Sequence, residues 1–431
     1  MNVTVIGTGY VGLVAACCLA NSGHQVIAVE KNENILNILR SGNIPIYEEG
    51  LSEIFQSSIE SGLLTCSNDL EGSISEASVV IVAVGTPSLP DGRVDLIQVN
   101  NVISSICRYA NKPLTVVMKS TVPPGTGKYL MNRYCSKAKA AISYVSNPEF
   151  LREGKAVYDW YNPDRIVIGG SDAEGTERVM SLYADITAPK LCLEVTDAEM
   201  VKYASNAFLA TKISFINEIA NLCERVGADV TSVSSAVGMD QRIGGSFLQA
   251  GLGYGGSCFP KDTKGLDYIS VFNGYNFTLL KGVIEVNANQ RILAVRKIIG
   301  LLDGVVDKNI AVLGLAFKPG TDDIREAPAI DIITHLINEG ATVNAYDPNH
   351  KARENSQKVC PSDVAFFEDP YQACQGCVAV LLVTEWKEIV NLDWVKINKD
   401  MKAPYLLFDG RNILDKVEMK KHGYLYSGIG R

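Results

Sequence analysis

Short apolar runs alternate with stretches of helical spacing along the first third of the chain. Val3-Thr4-Val5-Ile6 is β-rich, Val11 to Asn21 is Ala- and Leu-rich and reads as helix, Gly23 stops it, and Val26-Ile27-Ala28-Val29 is extended again. Val79 to Val84 runs into Gly85-Thr86-Pro87, and Thr115 to Lys119 runs into Ser120-Thr121-Val122-Pro123-Pro124. Strands that are apolar on consecutive residues, with helices between them, predict a parallel sheet covered on both faces. From Asp197 to about Arg225 the spacing turns helical without a Gly or Pro, long enough for a central spine. A second helix is predicted over Leu279 to Leu302, after a glycine-rich loop.

Residues 309 to 347 repeat the design of residues 1 to 30. Ile310 to Leu313 meets Gly314, Ala327 to Asn338 is helical and is stopped by Gly340, and the strand Val343 to Tyr346 ends in Asp347 as the earlier one ends in Glu30. Leu315-Ala316-Phe317-Lys318-Pro319 stands where a glycine fingerprint would be, so this half suits a nucleotide other than a dinucleotide. Val378 to Val383 and Tyr405 to Phe408 supply further strands. The fold class expected is α/β, with two Rossmann-like domains of parallel sheet joined by a long central helix.

Length agrees with this division, since 431 residues at about 150 per domain make two or three domains. Hydrophobic residues at 47% and charged residues at 20% are globular values and exclude wholesale disorder. The net charge of -8 argues against nucleic acid or a polybasic membrane anchor, while leaving room for local basic pockets. No run approaches the ~20 apolar residues of a membrane span, and Met1 to Gly7 has no basic leader pattern. Eleven cysteines, several inside apolar runs, read as reduced thiols of a cytoplasmic protein. The single CxxC, Cys374 to Cys377, reads as ordinary thiols, and no His/Cys cluster has metal-ligand spacing.

Three segments carry chemistry. Gly7-Thr8-Gly9-Tyr10-Val11-Gly12 is G-x-G-x-x-G between a strand and a helix, with Glu30 at the end of the next strand. That context is a dinucleotide site: backbone N–H groups face the pyrophosphate, and the acid accepts ribose hydroxyls and repels a 2′-phosphate, favouring NAD over NADP. Gly125-Thr126-Gly127-Lys128 is no phosphate loop, because Val122 and Tyr129 occupy positions that need Gly and Ser or Thr. Gly251-Leu252-Gly253-Tyr254-Gly255-Gly256-Ser257-Cys258 precedes a predicted helix start. A cysteine at a helix N-terminus is placed to be a thiolate, and beside a nicotinamide site it suggests covalent aldehyde oxidation. Asp262 follows one turn later. Lys202 and Asn206, four apart on the long helix, suit a developing oxyanion or a plain solvated face. Asn147 to Gly154 places Glu149 and Glu153 just after the strand Ile142 to Val145, where ligands of such sheets sit. None of the four histidines lies in a motif, so Lys, Asp or Glu must move protons.

Taken together, the Gly7–Gly12 fingerprint, Val84 to Pro87, Lys119 to Pro123, Asn147 to Gly154, Lys202 with Asn206, Phe247 to Asp262, Phe317 to Asp322 and Phe408-Asp409-Gly410-Arg411 resemble the UDP-glucose/GDP-mannose dehydrogenase family over nearly the whole chain. The resemblance implies two NAD-dependent oxidations at C6 of UDP-glucose, giving UDP-glucuronate. It makes Cys258 the nucleophile, Lys202 and Asn206 oxyanion stabilisers, and Asp262, Thr121 and Glu149 positioners of protons or water. Phe150, Leu151, Glu153, Phe247, Leu248, Gly255, Lys318 and Arg411 would contact the nucleotide sugar along with Glu149, Lys202 and Asn206. Arg242 would reach a neighbouring subunit's substrate. Gly7, Gly9, Tyr10, Val11, Gly12, Glu30, Thr86, Thr121 and Arg325 would touch the cofactor. The family architecture implies an NAD domain over 1–196, a helical dimerisation region with the Cys loop over 197–305, a UDP-sugar domain over 306–431, and a homodimer or dimer-based oligomer. Ile35 departs from the Lys or Arg found five residues after the ribose acid in many relatives, and Glu30 stands where Asp is common. GDP-mannose or UDP-N-acetylmannosamine as the sugar nucleotide, and a non-catalytic NAD-binding regulator, are the alternatives.

Overall fold

The computed structural model describes residues 1–431. They form two compact units, Met1–Ser205 and Asn206–Arg431. The first unit holds an eight-stranded sheet: β1 (Asn2–Ile6), β2 (Gln25–Val29), β3 (Leu64–Ser67), β4 (Val79–Val82), β5 (Leu114–Met118), β6 (Ile142–Ser146), β7 (Ile166–Gly170) and β8 (Lys190–Leu193). Its order is β3-β2-β1-β4-β5-β6-β7-β8, so the chain reverses direction of growth between β1 and β4. β1, β4, β5 and β6 pair in parallel, so their C-terminal ends share one edge. The sheet is not wholly parallel: β7 pairs antiparallel with β6, through Val145 with Gly170 and Ser146 with Gly169. Only two residue pairs make that junction, too few for an alternation of polar and apolar positions to show it.

Helix α1 (Tyr10–Asn21) lies after β1 and buries Gly12 through Ala20. Such all-round burial explains its unbroken Ala/Leu/Cys composition. Helix α2 (Glu33–Arg40) is amphipathic, capped by the Asn32 side chain, and Ile35 packs on the same core. The apolar residue at position 35 thus has a packing role.

Helix α3 (Thr126–Arg133) follows the Thr121 loop, and the long helix α4 spans Val195–Val226, two residues earlier than the acids at Asp197 suggest. The unit boundary falls inside α4, between Ser205 and Asn206. Glu199 of α4 is buried and accepts the N–H groups of Gly125 at 2.6 Å and Gly127 at 2.7 Å, capping the start of α3. One carboxylate thereby fixes α4 against the segment that follows the Thr121 loop.

The second unit contains the rest of α4, α5 (Phe259–Phe272), α6 (Thr278–Leu302) and α7 (Pro328–Asn338) with a six-stranded sheet. Its strands are β9 (Asn309–Leu313), β10 (Thr342–Tyr346), β11 (Ala365–Phe366), β12 (Ala379–Leu382), β13 (Leu406–Asp409) and β14 (Leu425–Gly428), ordered β11-β10-β9-β12-β13-β14 and parallel throughout. The internal resemblance read from residues 1–30 and 309–347 is therefore structural. Cys374 and Cys377 are buried in the core of this unit.

Burial pushes the Glu199 carboxyl up to about 7 despite its two N–H donors. Between the ordinary carboxylate value and 7 the folded chain binds a proton that the unfolded chain has lost, so stability falls as pH rises through that window. Glu199→Gln is expected to flatten this slope, worth on the order of 3 kcal/mol, in urea titrations between pH 4.5 and 8. An equal slope in both proteins would contradict it.

Candidate functional site

In the first unit the Gly loop leaves the end of β1. Gly7 has φ +96°, and a Cβ there would lie 2.7 Å from the Ala83 carbonyl oxygen. A Cβ on Gly9, at the N-cap of α1, would meet nothing within 4 Å. The first glycine is thus a packing requirement, while the second leaves open space before a helix N-terminus, the setting in which a pyrophosphate binds. Glu30, 8% exposed, reaches across from the end of β2. Its Oε2 accepts the Thr8 hydroxyl at 2.5 Å and the Thr8 N–H at 3.2 Å, and its Oε1 accepts the Asn32 N–H at 2.8 Å. Burial pushes its pKa up, but these donors outweigh burial and hold the carboxyl below its ordinary value. The Lys31 N–H also donates to this carboxylate, so a ribose hydroxyl would share an oxygen with these donors or displace one of them.

The other predicted residues of this unit follow strand ends. Thr86 comes after β4 and is buried, and Thr121 comes after β5. After β6, Glu149 is buried and forms an ion pair with Lys202 of α4, Oε1 to Nζ 2.8 Å, both side chains under 8% exposed. Glu149 Oε2 also accepts the Leu151 N–H at 2.6 Å. Burial alone would raise this carboxyl, but the Lys202 charge and hydrogen bond, the Leu151 N–H and the Lys119 charge bring it below its ordinary value. Phe150 lies under the Arg165 guanidinium at 4.0 Å and the Lys202 ammonium at 5.4 Å. Tyr10 accepts the Gly154 N–H through its hydroxyl at 2.7 Å, fixing the end of the segment that carries Glu153.

Motif spacing alone does not show how this segment is held. Lys119, 4% exposed, donates to Asn147 Oδ1 and to the Tyr183 hydroxyl, each at 3.0 Å, and faces the rings of Trp160 and Tyr183. A lysine at the end of an otherwise apolar strand was the available signal, because a buried ammonium needs acceptors.

In the second unit Cys258 is the N-cap residue of α5, and its carbonyl accepts the Asp262 N–H at 2.8 Å. Asp262 is 1% exposed. Its Oδ2 accepts Asn206 Nδ2 at 2.6 Å and its Oδ1 accepts Lys261 Nζ at 2.5 Å. Asn206 is therefore buried and committed to a carboxylate, which removes the solvated-face reading of this position. Ser257 Oγ lies 3.5 Å from Cys258 Sγ. Phe247 has φ +63° and packs against Phe259, with ring centroids 6.1 Å apart. The Leu248 side chain belongs to the hydrophobic core, so a ligand could touch only its backbone. Arg242 is exposed and paired with Asp240 at 2.6 Å.

Lys318 follows β9 and Arg411 follows β13, so both lie at the C-terminal edge of the second sheet. Arg411 donates to the carbonyls of Val383 and Phe317 and pairs with Glu385 at 3.1 Å. Arg325 is bound to Asp323 at 2.6 Å, and its carbonyl accepts the Gly256 N–H at 2.9 Å. Asp347, the counterpart of Glu30, is 0% exposed and accepts the N–H groups of Leu315, Ala316 and Asn349 and of the Trp386 ring. Fully buried and held by four protein donors, three of them on Oδ2, this acid offers no exposed face to a ribose, in keeping with a half that does not hold a dinucleotide.

Three family models match the chain. They are the NAD binding domain of the UDP-glucose/GDP-mannose dehydrogenase family over residues 1–187, its central domain over 196–289 and its UDP binding domain over 311–416. UDP-glucose 6-dehydrogenase TuaD of Bacillus subtilis is 44% identical over 432 residues, covering 100% of this chain and 93% of its own. A UDP-glucose dehydrogenase structure from Pyrobaculum islandicum superposes with TM-score 0.92 at 38% identity, covering 99% of this chain and 97% of its own. A UDP-D-ManNAc dehydrogenase from Pyrococcus horikoshii gives TM-score 0.87 at 26% identity, with coverage of 100% and 99%.

Lys202→Met removes the cation and keeps the apolar stem. Burial then dominates, and Glu149 is expected to titrate above the ordinary carboxylate range instead of below it. Infrared difference spectra of the carboxylate against pH measure this, and a midpoint that stays low would show that Lys202 does not hold it.

Proposed function

The chain belongs to the UDP-glucose/GDP-mannose dehydrogenase family, and from that premise we propose that it oxidises UDP-glucose to UDP-glucuronate in two NAD-dependent steps through a covalent adduct on Cys258. It is an NAD-dependent nucleotide-sugar dehydrogenase. The observation that carries the covalent step is Cys258 at the head of α5, with Asp262 buried one turn on and bonded to Asn206.

The glycine loop and Glu30 fit NAD: Gly9 leaves space before the helix, and Glu30 stands at the end of β2 as an acid whose oxygens a ribose hydroxyl can share. NAD supplies a hydride acceptor in each step. Thr86, Thr121 and Arg325 are assigned to its binding. In the first step the C6 hydroxyl loses a proton and C6 a hydride, leaving an aldehyde. The Cys258 thiolate adds to that carbonyl, forming a C–S bond, and the Lys202 ammonium and Asn206 amide stabilise the oxyanion. Loss of the second hydride converts the thiohemiacetal to a thioester. Glu149, kept ionised by Lys202, accepts a proton from the water that cleaves it and frees the thiolate. Asp262 and Thr121 position protons. One alcohol, two NAD and one water thus give one carboxylate, two NADH and three protons.

Lys318 and Arg411 supply charge for the diphosphate, with Phe247 and the backbone of Leu248 and Gly255 against the nucleotide sugar, and Phe150, Leu151 and Glu153 completing its contacts. Glucose is favoured over N-acetylmannosamine by 44% and 38% identity to enzymes named for UDP-glucose, against 26% to the UDP-D-ManNAc dehydrogenase. Residues 1–196, 197–305 and 306–431 are assigned as NAD-binding, central and UDP-sugar-binding parts.

A homodimer is proposed from an apolar stripe. Phe208, Phe215 and Leu222, 65%, 54% and 54% exposed, recur every seven residues on α4, and Leu279 and Leu293 are exposed on α6. Between these helices runs a groove of about 550 Å³ lined by Glu218, Asn221, Val286 and Arg296. A second copy would cover the stripe and place Arg242 at its neighbour's substrate. No helix is long and apolar enough to cross a membrane. Eleven cysteines, several of them exposed or half-buried, suit a reducing cytoplasm.

Cys258→Ser is expected to bind NAD normally and make no UDP-glucuronate, while the wild type forms two NADH per UDP-glucose consumed. Absorbance at 340 nm over a panel of nucleotide sugars reads both. Normal turnover of the variant refutes covalent catalysis, and a flat trace with every sugar supports a regulator instead. Phe215→Asp is expected to convert the dimer to monomer at micromolar concentration by light scattering; an unchanged mass would place the interface elsewhere.

A further inference from the structure

The loop that carries Cys258 has four glycines in six residues, Gly251 to Gly256, and no regular secondary structure. Glycine gives a chain more conformations to lose than any other residue. A loop of this composition is ordered only if something outside it fixes its backbone. Here that something is one face of α6, where Asn287, Gln290 and Arg291 are 8%, 1% and 6% exposed. Asn287 Oδ1 accepts the Tyr254 N–H at 2.7 Å, and its Nδ2 donates to the Tyr254 carbonyl at 3.1 Å. One carboxamide thus pairs both backbone groups of one residue, as a neighbouring strand would. Arg291 Nη2 donates to the Tyr254 carbonyl and to the Glu326 carbonyl, each at 2.9 Å. Gln290 Nε2 donates to the Gly251 carbonyl at 3.0 Å. Gly253, at φ +90°, is where any Cβ would come within 2.5 Å of Asn287 Oδ1. Burying three polar side chains on one helix face is costly unless they are hydrogen-bonded, and here each sends at least one bond to the loop that ends at the thiol, while Arg291 Nη1 also pairs with Asp331 and Gln290 Oε1 accepts from Asn221.

We propose that Asn287 and Arg291 are positioning residues for Cys258, holding the glycine loop in the single conformation that presents the thiol at the head of α5. The proposal rests on the covalent role given to Cys258 above. Arg291 bridges two backbone segments, the thiol loop and the turn at Glu326, whereas Asn287 acts on the thiol loop alone. An error of 1 Å in the position of a reacting group costs about 100-fold in rate, which sets the size of the effect.

Two near-isosteric variants test it. Asn287→Asp keeps the acceptor for the Tyr254 N–H and loses the donor. Arg291→Lys keeps the charge and loses the guanidinium whose Nη2 reaches two carbonyls while Nη1 pairs with Asp331. Each is compared with wild type in melting temperature, kcat, KM for NAD and the rate at which iodoacetamide alkylates Cys258 in the free enzyme. The expected result is a melting temperature within a few degrees of wild type, KM for NAD unchanged within twofold, kcat lower by about 10- to 100-fold, and an alkylation rate lower by tenfold or more. Folded variants with wild-type kcat and alkylation rate overturn the proposal, as does loss of folding in both, which would assign these residues to the fold alone. Cys258→Ser, run alongside, separates the two levels: full product from that variant defeats the covalent reading, whereas an inactive Cys258→Ser beside unaffected Asn287→Asp and Arg291→Lys defeats the positioning role only.

Discussion

A parallel sheet ends its strands at one edge, and the chemistry of this protein follows from that constraint. Because β1, β4, β5 and β6 run side by side in the same direction, the residues after them, Gly7, Thr86, Thr121 and Glu149, emerge together although they are spread over more than a hundred positions of sequence. The second sheet does the same for Lys318 after β9 and Arg411 after β13. Binding groups in such a fold need no local clustering in sequence, only positions just beyond strand ends. Each loop can then vary without disturbing the hydrogen-bonded ladder beneath it.

Much of this was legible in the chain. The continuous apolar runs, the glycine fingerprint and the repeated strand–helix–strand design were all visible because they express local geometry. The Cys258 segment stood out because four glycines ahead of a thiol mark a closely approached backbone, and a Cβ on Gly253, Gly255 or Gly256 would indeed meet Asn287, the Glu326 carbonyl or Phe317. What was not legible depends on tertiary partners. The antiparallel step from β6 to β7 rests on two residue pairs. Asn206 suits from spacing either an oxyanion contact or a solvated helix face, and its burial against Asp262, a partner 56 residues away, is not readable from that spacing. Leu248 sits in a motif but points its side chain into the core. Asn287 and Arg291 belong to no motif, and on a long helix their polar character reads as solvent exposure until the loop backbone they bond is seen.

The acidic overall balance also looks different from inside. Lys119 and Lys202 are both buried within the first unit, and Arg291 is buried in the second. Each is committed to named acceptors: Lys119 to Asn147 and Tyr183, Lys202 to Glu149, and Arg291 to the carbonyls of Tyr254 and Glu326 and the carboxylate of Asp331. A buried cation without such acceptors would be expensive. Net charge describes the surface that solvent meets. The cations that organise the interior are few, fixed and individually paired, and no average reports them.

Glu30 has a double attachment. The carboxylate that would face the ribose also fastens the glycine loop, through the hydroxyl and N–H of Thr8. Cofactor discrimination and loop shape are therefore inherited together. A chain drifting toward a 2′-phosphorylated cofactor would have to give up this acid and, in the same step, find a new acceptor for a buried hydroxyl and N–H. No single substitution at position 30 supplies both, so the preference for one dinucleotide is guarded by the architecture of the loop as well as by the charge that reads it.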